Sequence, residues 1–454
     1  MSMGTKMGYE EATAVNAESG TVLVVGVPAG SVVGVDGVGW RVTEAFAGIK
    51  MLPLDMLHFV TFAAADSHGS DAMPTGFWMS FEEALAPDEG RPGAKAVAVY
   101  RYEPKSEILV PHPDPVQAYR LALGVQSFDF DARLQPFPPS AVDGWRALSA
   151  PLTRGLVAAL MPASGVLSGA GMPLSEAEAE MLGKSEQVQD ENGGESGSED
   201  LPRLAKFERK AFLAQVTGAS RSAVGHDNSP MLRAVARKRP RGVLDVVGEF
   251  AFAFLGVFLV SSGACFVGWR ARFEAFAAAR HIWADEPTTF EVLLDLVVAQ
   301  LDLMSNELFA DLLIEDATSN AVRTWVGSLA RTAAELDLVG QARELADAAR
   351  DRFGWELELE GEQRALDRVV GGLAATALDD AAAIQAALCA EFGDDAPTVV
   401  LPIADDMQTE SSHARTASAA AGPRPHRASK PGWSATKASD AASISASAVR
   451  DMWV

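Results

Sequence analysis

Apolar positions along the chain change their spacing from period two to period three or four, and that change divides it. From Thr21 to Phe81 the signal is that of strands. Val22-Leu23-Val24-Val25 is a β-branched run stopped by Gly26-Val27-Pro28-Ala29-Gly30, and Leu57-His58-Phe59-Val60-Thr61-Phe62 alternates large apolar side chains with others. Gly76 to Phe81 does the same, and the Gly, Pro and Asp turns between these runs predict hairpins. Ala94 to Tyr102 predicts a further strand, with Ile108-Leu109-Val110 returning beside it. The period then lengthens. Val116, Tyr119, Leu121 and Leu123 predict a helix opened by Asp114-Pro115, with Asp as N-cap and Pro at the first helical position. Gln135-Pro136-Phe137-Pro138-Pro139 breaks the pattern, and a second helix is predicted from Ser140 through Trp145 to Leu152.

From Ser164 the apolar period is lost, and Ser185 to Asp200 is a run of acids, Gly and Ser without the apolar surface to order itself. From Val243 to Phe392 apolar residues return every three or four positions, as at Phe290, Leu293, Leu294, Val297, Val298 and Leu301. Five or six helices are predicted there, with loops at Ala284–Pro287 and Asp316–Ser319. The expected organisation is a flexible arm at 1–20, a β-rich domain with terminal helices at 21–163 and an acidic disordered linker at 164–204. A helical domain at 205–396, an extended strand at 397–403 and a disordered Ala/Ser/Arg/Pro tail at 404–454 complete it. The fold class is α+β: an N-terminal β-rich domain followed by a C-terminal all-α bundle. The 454 residues are enough for two domains, each with its own core.

Charge and rare residues narrow the chemistry. A formal net charge of -23 has the wrong sign for binding phosphates by counterion release, so direct nucleic-acid binding is not expected and a basic protein partner is. Cys265 and Cys389 provide neither a disulfide framework nor a CxxC zinc site, which suits a reducing compartment, and no secretory leader is recognisable at the start. Phosphate cradling by Gly26–Ser31 would need a Lys-Ser/Thr or a following helix; the chain re-enters strand instead, so this is a turn. His58 is expected to be structural, because no motif places a nucleophile beside it. The other histidines make no metal-ligand spacing, and no catalytic residue, cofactor or metal is expected. Arg233, Arg237, Lys238, Arg239 and Arg241 read either as a targeting or partner patch or as a basic helix end. The uncharged stretch Phe250 to Trp269 is long enough to span a bilayer, which leaves a membrane-anchored adaptor as the alternative to a buried core helix.

Several clusters also occur in a familiar order. Gly34-Val35-Asp36, Trp40, Phe46, Gly48-Ile49-Lys50-Met51 with Pro53, Leu57-His58-Phe59 and Gly76-Phe77 resemble the start of the A1 cistron-splicing factor family, the Aar-two type. The stretch Leu244 to Phe254, then Trp269 and Phe276, resembles that family's central helix. Leu308–Leu312, Phe353-Gly354-Trp355 and Thr398–Pro402 resemble its later landmarks. The resemblance implies a non-catalytic assembly factor of the spliceosomal U5 particle, found in cytoplasm and nucleus. It would hold the C-terminal RNase-H-like and Jab/MPN-like domains of the large scaffold protein (Prp-eight type) and keep the helicase (Brr-two type) away until maturation. Val399, Val400 and Leu401 would bridge the two scaffold domains as an added strand. In the tail, Ser418 and Ser429 follow arginines as in sites for basophilic kinases.

Overall fold

The computed structural model describes residues 18–65, 73–83, 96–169, 201–207, 227–304 and 315–357, with a short strand at Ser443–Ile444. Strands β1 (Gly20–Val25), β4 (Gly48–Leu52), β7 (Val97–Glu103), β8 (Ile108–Pro111) and β9 (Leu134–Pro136) form one sheet in the order β8-β7-β1-β4-β9. Strands β2 (Val32–Val35), β3 (Val38–Arg41), β5 (His58–Ala63), β6 (Thr75–Met79), β10 (Leu167–Ser168) and β11 (Ser443–Ile444) form the other, in the order β10-β6-β5-β2-β3-β11. The expectation of successive hairpins holds for β2–β3, β5–β6 and β7–β8. It fails for β1, which pairs antiparallel with β4 and parallel with β7, Val22 facing Ala98. The reason is visible in the sequence: β1 is apolar on both faces, as a strand between other strands must be when both sheet faces are covered.

Period-two alternation directs side chains into three layers. Val22 and Val24 of β1 meet Val33, Val35, Val60 and Phe62 between the sheets. Leu23, pointing the other way, packs with Val97 and Val99 under helix α1 (Pro115–Gln126). Asp114 caps α1 through Oδ1, accepting from the Val116 and Gln117 amides at 2.8 and 3.1 Å. The helix lies where it was predicted, but not every apolar residue that marked it faces inward. Ala118, Ala122 and Val125 are buried, whereas Val116 and Tyr119 are exposed. A thin Ala face lets α1 lie close on the sheet.

The third layer joins the halves. Phe59 of β5 and Leu167 of β10 belong to the interior formed by helices α2 (Val142–Ser149), α3 (Arg154–Leu160), α4 (Ser229–Ala236) and α5 (Val243–Val260). Helices α6 (Gly263–Ala277), α7 (His281–Asp285), α8 (Pro287–Leu303), α9 (Glu315–Glu335) and α10 (Val339–Phe353) complete it. Trp78 of β6 stacks on Phe252 of α5 and leans on Trp145 of α2, and the Trp145 indole donates to the Leu57 carbonyl at 2.8 Å. Two separate cores were expected; the helical half instead covers the outer face of the second sheet.

Other expectations are corrected. The linker predicted at 164–204 is ordered at both ends: Leu167 is buried and pairs with Gly76, and residues 201–207 run across the helices. Leu167 belongs to the helical interior, and Leu204, with Phe207 just beyond the predicted linker, packs against it. The loop predicted at Asp316–Ser319 lies within α9. Within the predicted tail, Ser443–Ile444 pairs with β3 opposite Trp40 and Gly39, where a terminal strand offers unpaired backbone groups. The stretch Phe250–Trp269 is two helices, not one. Ser261 closes α5 in the left-handed conformation (φ 55°), the Ser262 amide reaches back to the Gly256 carbonyl at 3.1 Å, and the Ser262 hydroxyl caps α6. Helix α5 is by itself long and apolar enough to cross a membrane, but 83% of that window is buried inside the protein.

Candidate functional site

Polar side chains inside this fold fall into two constellations. The first lies where the β2–β3 turn meets β5. Asp36 and Gly37 both have positive φ (55° and 80°), which makes the two-residue turn that a twisted hairpin requires. Asp36 is wholly buried; its Oδ1 accepts from the Phe59 amide at 2.8 Å and its Oδ2 lies 2.6 Å from His58 Nδ1. The other ring nitrogen, Nε2, donates to the Pro53 carbonyl at 2.7 Å, and Phe81 stands edge-on to the ring. Burial pulls the imidazole's pKa down, but the Asp36 charge, the hydrogen bonds to Asp36 and Pro53, and Asp55 outweigh it, leaving a net rise. Burial pushes the Asp36 carboxyl up against the pull of His58 and the Phe59 amide. Both shifts have one meaning: the pair keeps a shared proton. Fully enclosed, His58 is in no position to work on a substrate.

The second constellation sits between α5 and α6. Glu249, inside an apolar helix, is fully buried. Its Oε2 binds the buried Arg272 guanidinium and accepts from the Ala205 amide at 2.9 Å; its Oε1 takes Arg239 Nε at 2.5 Å. Arg272 also donates to the carbonyls of Gly268 and Ala205 at 2.8 and 3.0 Å and lies over the Phe207 ring. Burial draws the Arg272 guanidinium down and Glu249 opposes it. Both backbone groups of Ala205 are thereby held, which straps residues 201–207 across the helices. Desolvated charges of this kind persist only when each is met by opposite charge and hydrogen bonds.

The basic cluster predicted as a possible patch is largely consumed here. Arg239 binds Glu249, Arg241 pairs with Asp245 at 2.7 Å and reaches the Pro151 carbonyl at 2.5 Å, and Arg233 pairs with Asp285. Arg237 and Lys238 remain exposed. The predicted Gly26–Gly30 turn borders a shallow cleft of about 270 Å³ with Leu121, Phe130, Glu44 and Arg133. Cys265 is buried, and that burial pushes its thiol up to about 11, so it is held as an unreactive thiol. Among the described residues no group of three or more His, Cys, Asp or Glu side chains could hold a metal ion. Val399, Val400, Leu401, Ser418 and Ser429 lie outside the described residues.

Neither constellation was foreseen as a unit. The sequence singles out His58 and the arginines, but Asp36 stands there only in the Gly34-Val35-Asp36 cluster of the family resemblance and Glu249 only within the stretch resembling the central helix. The available signal was the presence of Asp245 and Glu249 within an otherwise apolar run, with Arg272 one helix later.

Taken together, the fold defines a class: paired sheets and a helical region sharing one interior around an apolar helix, with buried ions committed to structural bonds. The comparisons narrow the class to one family. The model of the AAR2 N-terminal domain matches residues 18–162, and that of the AAR2 C-terminal repeat region matches residues 204–358. The chain belongs to the AAR2 family. It is 23% identical over 374 residues to the mouse protein named Protein AAR2 homolog, covering 76% of this chain and 92% of that one. The human protein of the same name gives the same values, and the rabbit one is 21% identical over 353 residues, covering 76% and 90%.

Proposed function

We propose that this chain is a non-catalytic pre-mRNA splicing factor that chaperones assembly of the U5 particle. In this reading it binds the C-terminal RNase-H-like and Jab/MPN-like domains of the Prp-eight-type scaffold and holds off the Brr-two-type helicase. The observation that carries the reading is the presence of both AAR2 regions, in order, in one chain. The acidic balance supports it: a net charge of -23 favours a basic protein surface and repels RNA from the surface being masked. The described ionisable interior supports it too, because the buried acids and bases are bonded to one another rather than turned toward a pocket. The action is on a protein surface, without cofactor, metal or membrane, in the cytoplasm and nucleus. Val399, Val400 and Leu401 add to the scaffold as a bridging strand, and phosphate on Ser418 or Ser429 tunes release.

The test is a pull-down of the scaffold fragment containing both domains with the full chain, challenged by the helicase. Specific capture, competed by the helicase and weakened when the chain is truncated after Ala396, is the expected result. A well-folded preparation that captures nothing would overturn the reading; capture unaffected by truncation would remove the bridging strand from it.

A further inference from the structure

The Asp36–His58 geometry has a consequence beyond the binding role and independent of it. A backbone carbonyl can only accept, so the 2.7 Å contact to Pro53 fixes a hydrogen on His58 Nε2. At 2.6 Å, a bare Nδ1 lone pair would then face a carboxylate oxygen, so a second proton must lie between Nδ1 and Asp36 Oδ2. Asp36 already has the Phe59 amide on its other oxygen, the arrangement of an ionised carboxylate. Both side chains are fully buried, leaving no solvent to replace a lost partner. We propose that Asp36 and His58 form a one-proton clasp: an imidazolium that ties the β2–β3 turn to the loop at Pro53 and to β5, and whose loss loosens the sheet face carrying the shared interior.

The clasp is well placed for that effect. His58 is flanked by Leu57, whose carbonyl takes the Trp145 indole, and by Phe59, which packs into the helical interior. Apart from Asp36, the charge acting on it is Asp55, which itself pairs with Arg146 at the surface at 3.2 Å. On its other sides the Phe81 ring stands edge-on to it and Met79 of β6 is its cross-strand neighbour, neither of them charged. The folded-state value of His58 lies above its ordinary 6.5, which fixes the sign. Below pH 6.5 folded and unfolded chains both hold the proton and the clasp's full stabilisation is present. As pH rises above it the unfolded chain releases the proton while the folded chain keeps it, so stability falls until the clasp itself deprotonates.

The experiment is urea unfolding of the full chain followed by tryptophan fluorescence at intervals from pH 6.5 to 8.5. The clasp predicts an unfolding constant rising by up to about tenfold per pH unit in wild type over the part of this window below the clasp's own pKa. In His58→Gln that rise should be absent. A flat wild-type profile, or the same slope in His58→Gln, would overturn it. Should that variant fail to fold, the wild-type chain still decides through ¹⁵N-histidine NMR at pH 7.5, with the His58 signal assigned by its contact with the Phe81 ring. Both ring nitrogens protonated is the expected result, and an unprotonated Nδ1 would contradict the clasp.

Discussion

Glu249 is the residue whose loss should be felt most. Replacing it by Ala leaves Arg272 buried without its counter-charge and frees the Ala205 amide from its acceptor. Breaking a buried pair from one side costs about 3–5 kcal/mol. Glu249→Ala should therefore lower stability by that amount in a denaturant titration, whereas Glu249→Leu combined with Arg272→Met should recover most of the loss. A double variant no better than the single one would mean that the strap at 201–207, not the charge balance, sets the cost. At this scale the sequence was only partly legible. His58 was recognisable as structural because it stood in a strand without a nucleophile. Its partner was not, because Asp36 lies 22 positions upstream and only the β2–β5 pairing brings the two together. In α1 the apolar period alone did not separate inward from outward positions: Val116 and Tyr119 are exposed, and the residues buried against the sheet are Ala118, Ala122 and Val125.

Among the elements, α5 carries the clearest demand. Gly248 faces the Leu156 side chain and the Pro151 carbonyl so closely that a β-carbon there collides with both. Gly340, in the first turn of α10, has nothing within 4 Å of a β-carbon. Ala at position 248 should lower the melting temperature, with a cost of about 1–3 kcal/mol from forced overpacking. Ala at 340 should leave it unchanged or raise it, since Ala is favoured over Gly in a helix by up to about 1 kcal/mol. Equal effects at the two sites would show that α5 is less tightly covered than described. Element types were the most legible part of the chain, because strand alternation, the Asp114-Pro115 start and the 3.6-residue period are local signals. The break at Ser261-Ser262-Gly263 was visible only as a dilution of an apolar run, since a left-handed serine and a serine cap look alike in sequence. The pairing of β1 with β7 showed only as the doubly apolar run Val22–Val25, which marks a covered strand but does not say which strand lies beside it.

For the molecule as a whole, the two AAR2 regions make one folded unit. The Phe59, Trp78 and Trp145 side chains of the first region and the Phe252 side chain of the second pack in one interior, joined by Leu167 from between the regions; the Arg241 guanidinium donates across to the Pro151 carbonyl, and the amide of Arg203, just ahead of the second region, to that of Leu160. The two-part α+β division was readable from the change in apolar period, but the shared interior was not: a sheet's second covered face and a helix's private core produce the same apolar pattern. The most direct test is to express residues 18–169 and 201–357 separately and together. The shared interior predicts that neither piece alone gives a cooperative unfolding transition, because each exposes the surface around Phe252 and Trp78. Together they should copurify and unfold in one transition, with tryptophan fluorescence and far-ultraviolet circular dichroism coinciding. Two pieces that fold independently, each with its own cooperative transition and no mutual affinity, would contradict it.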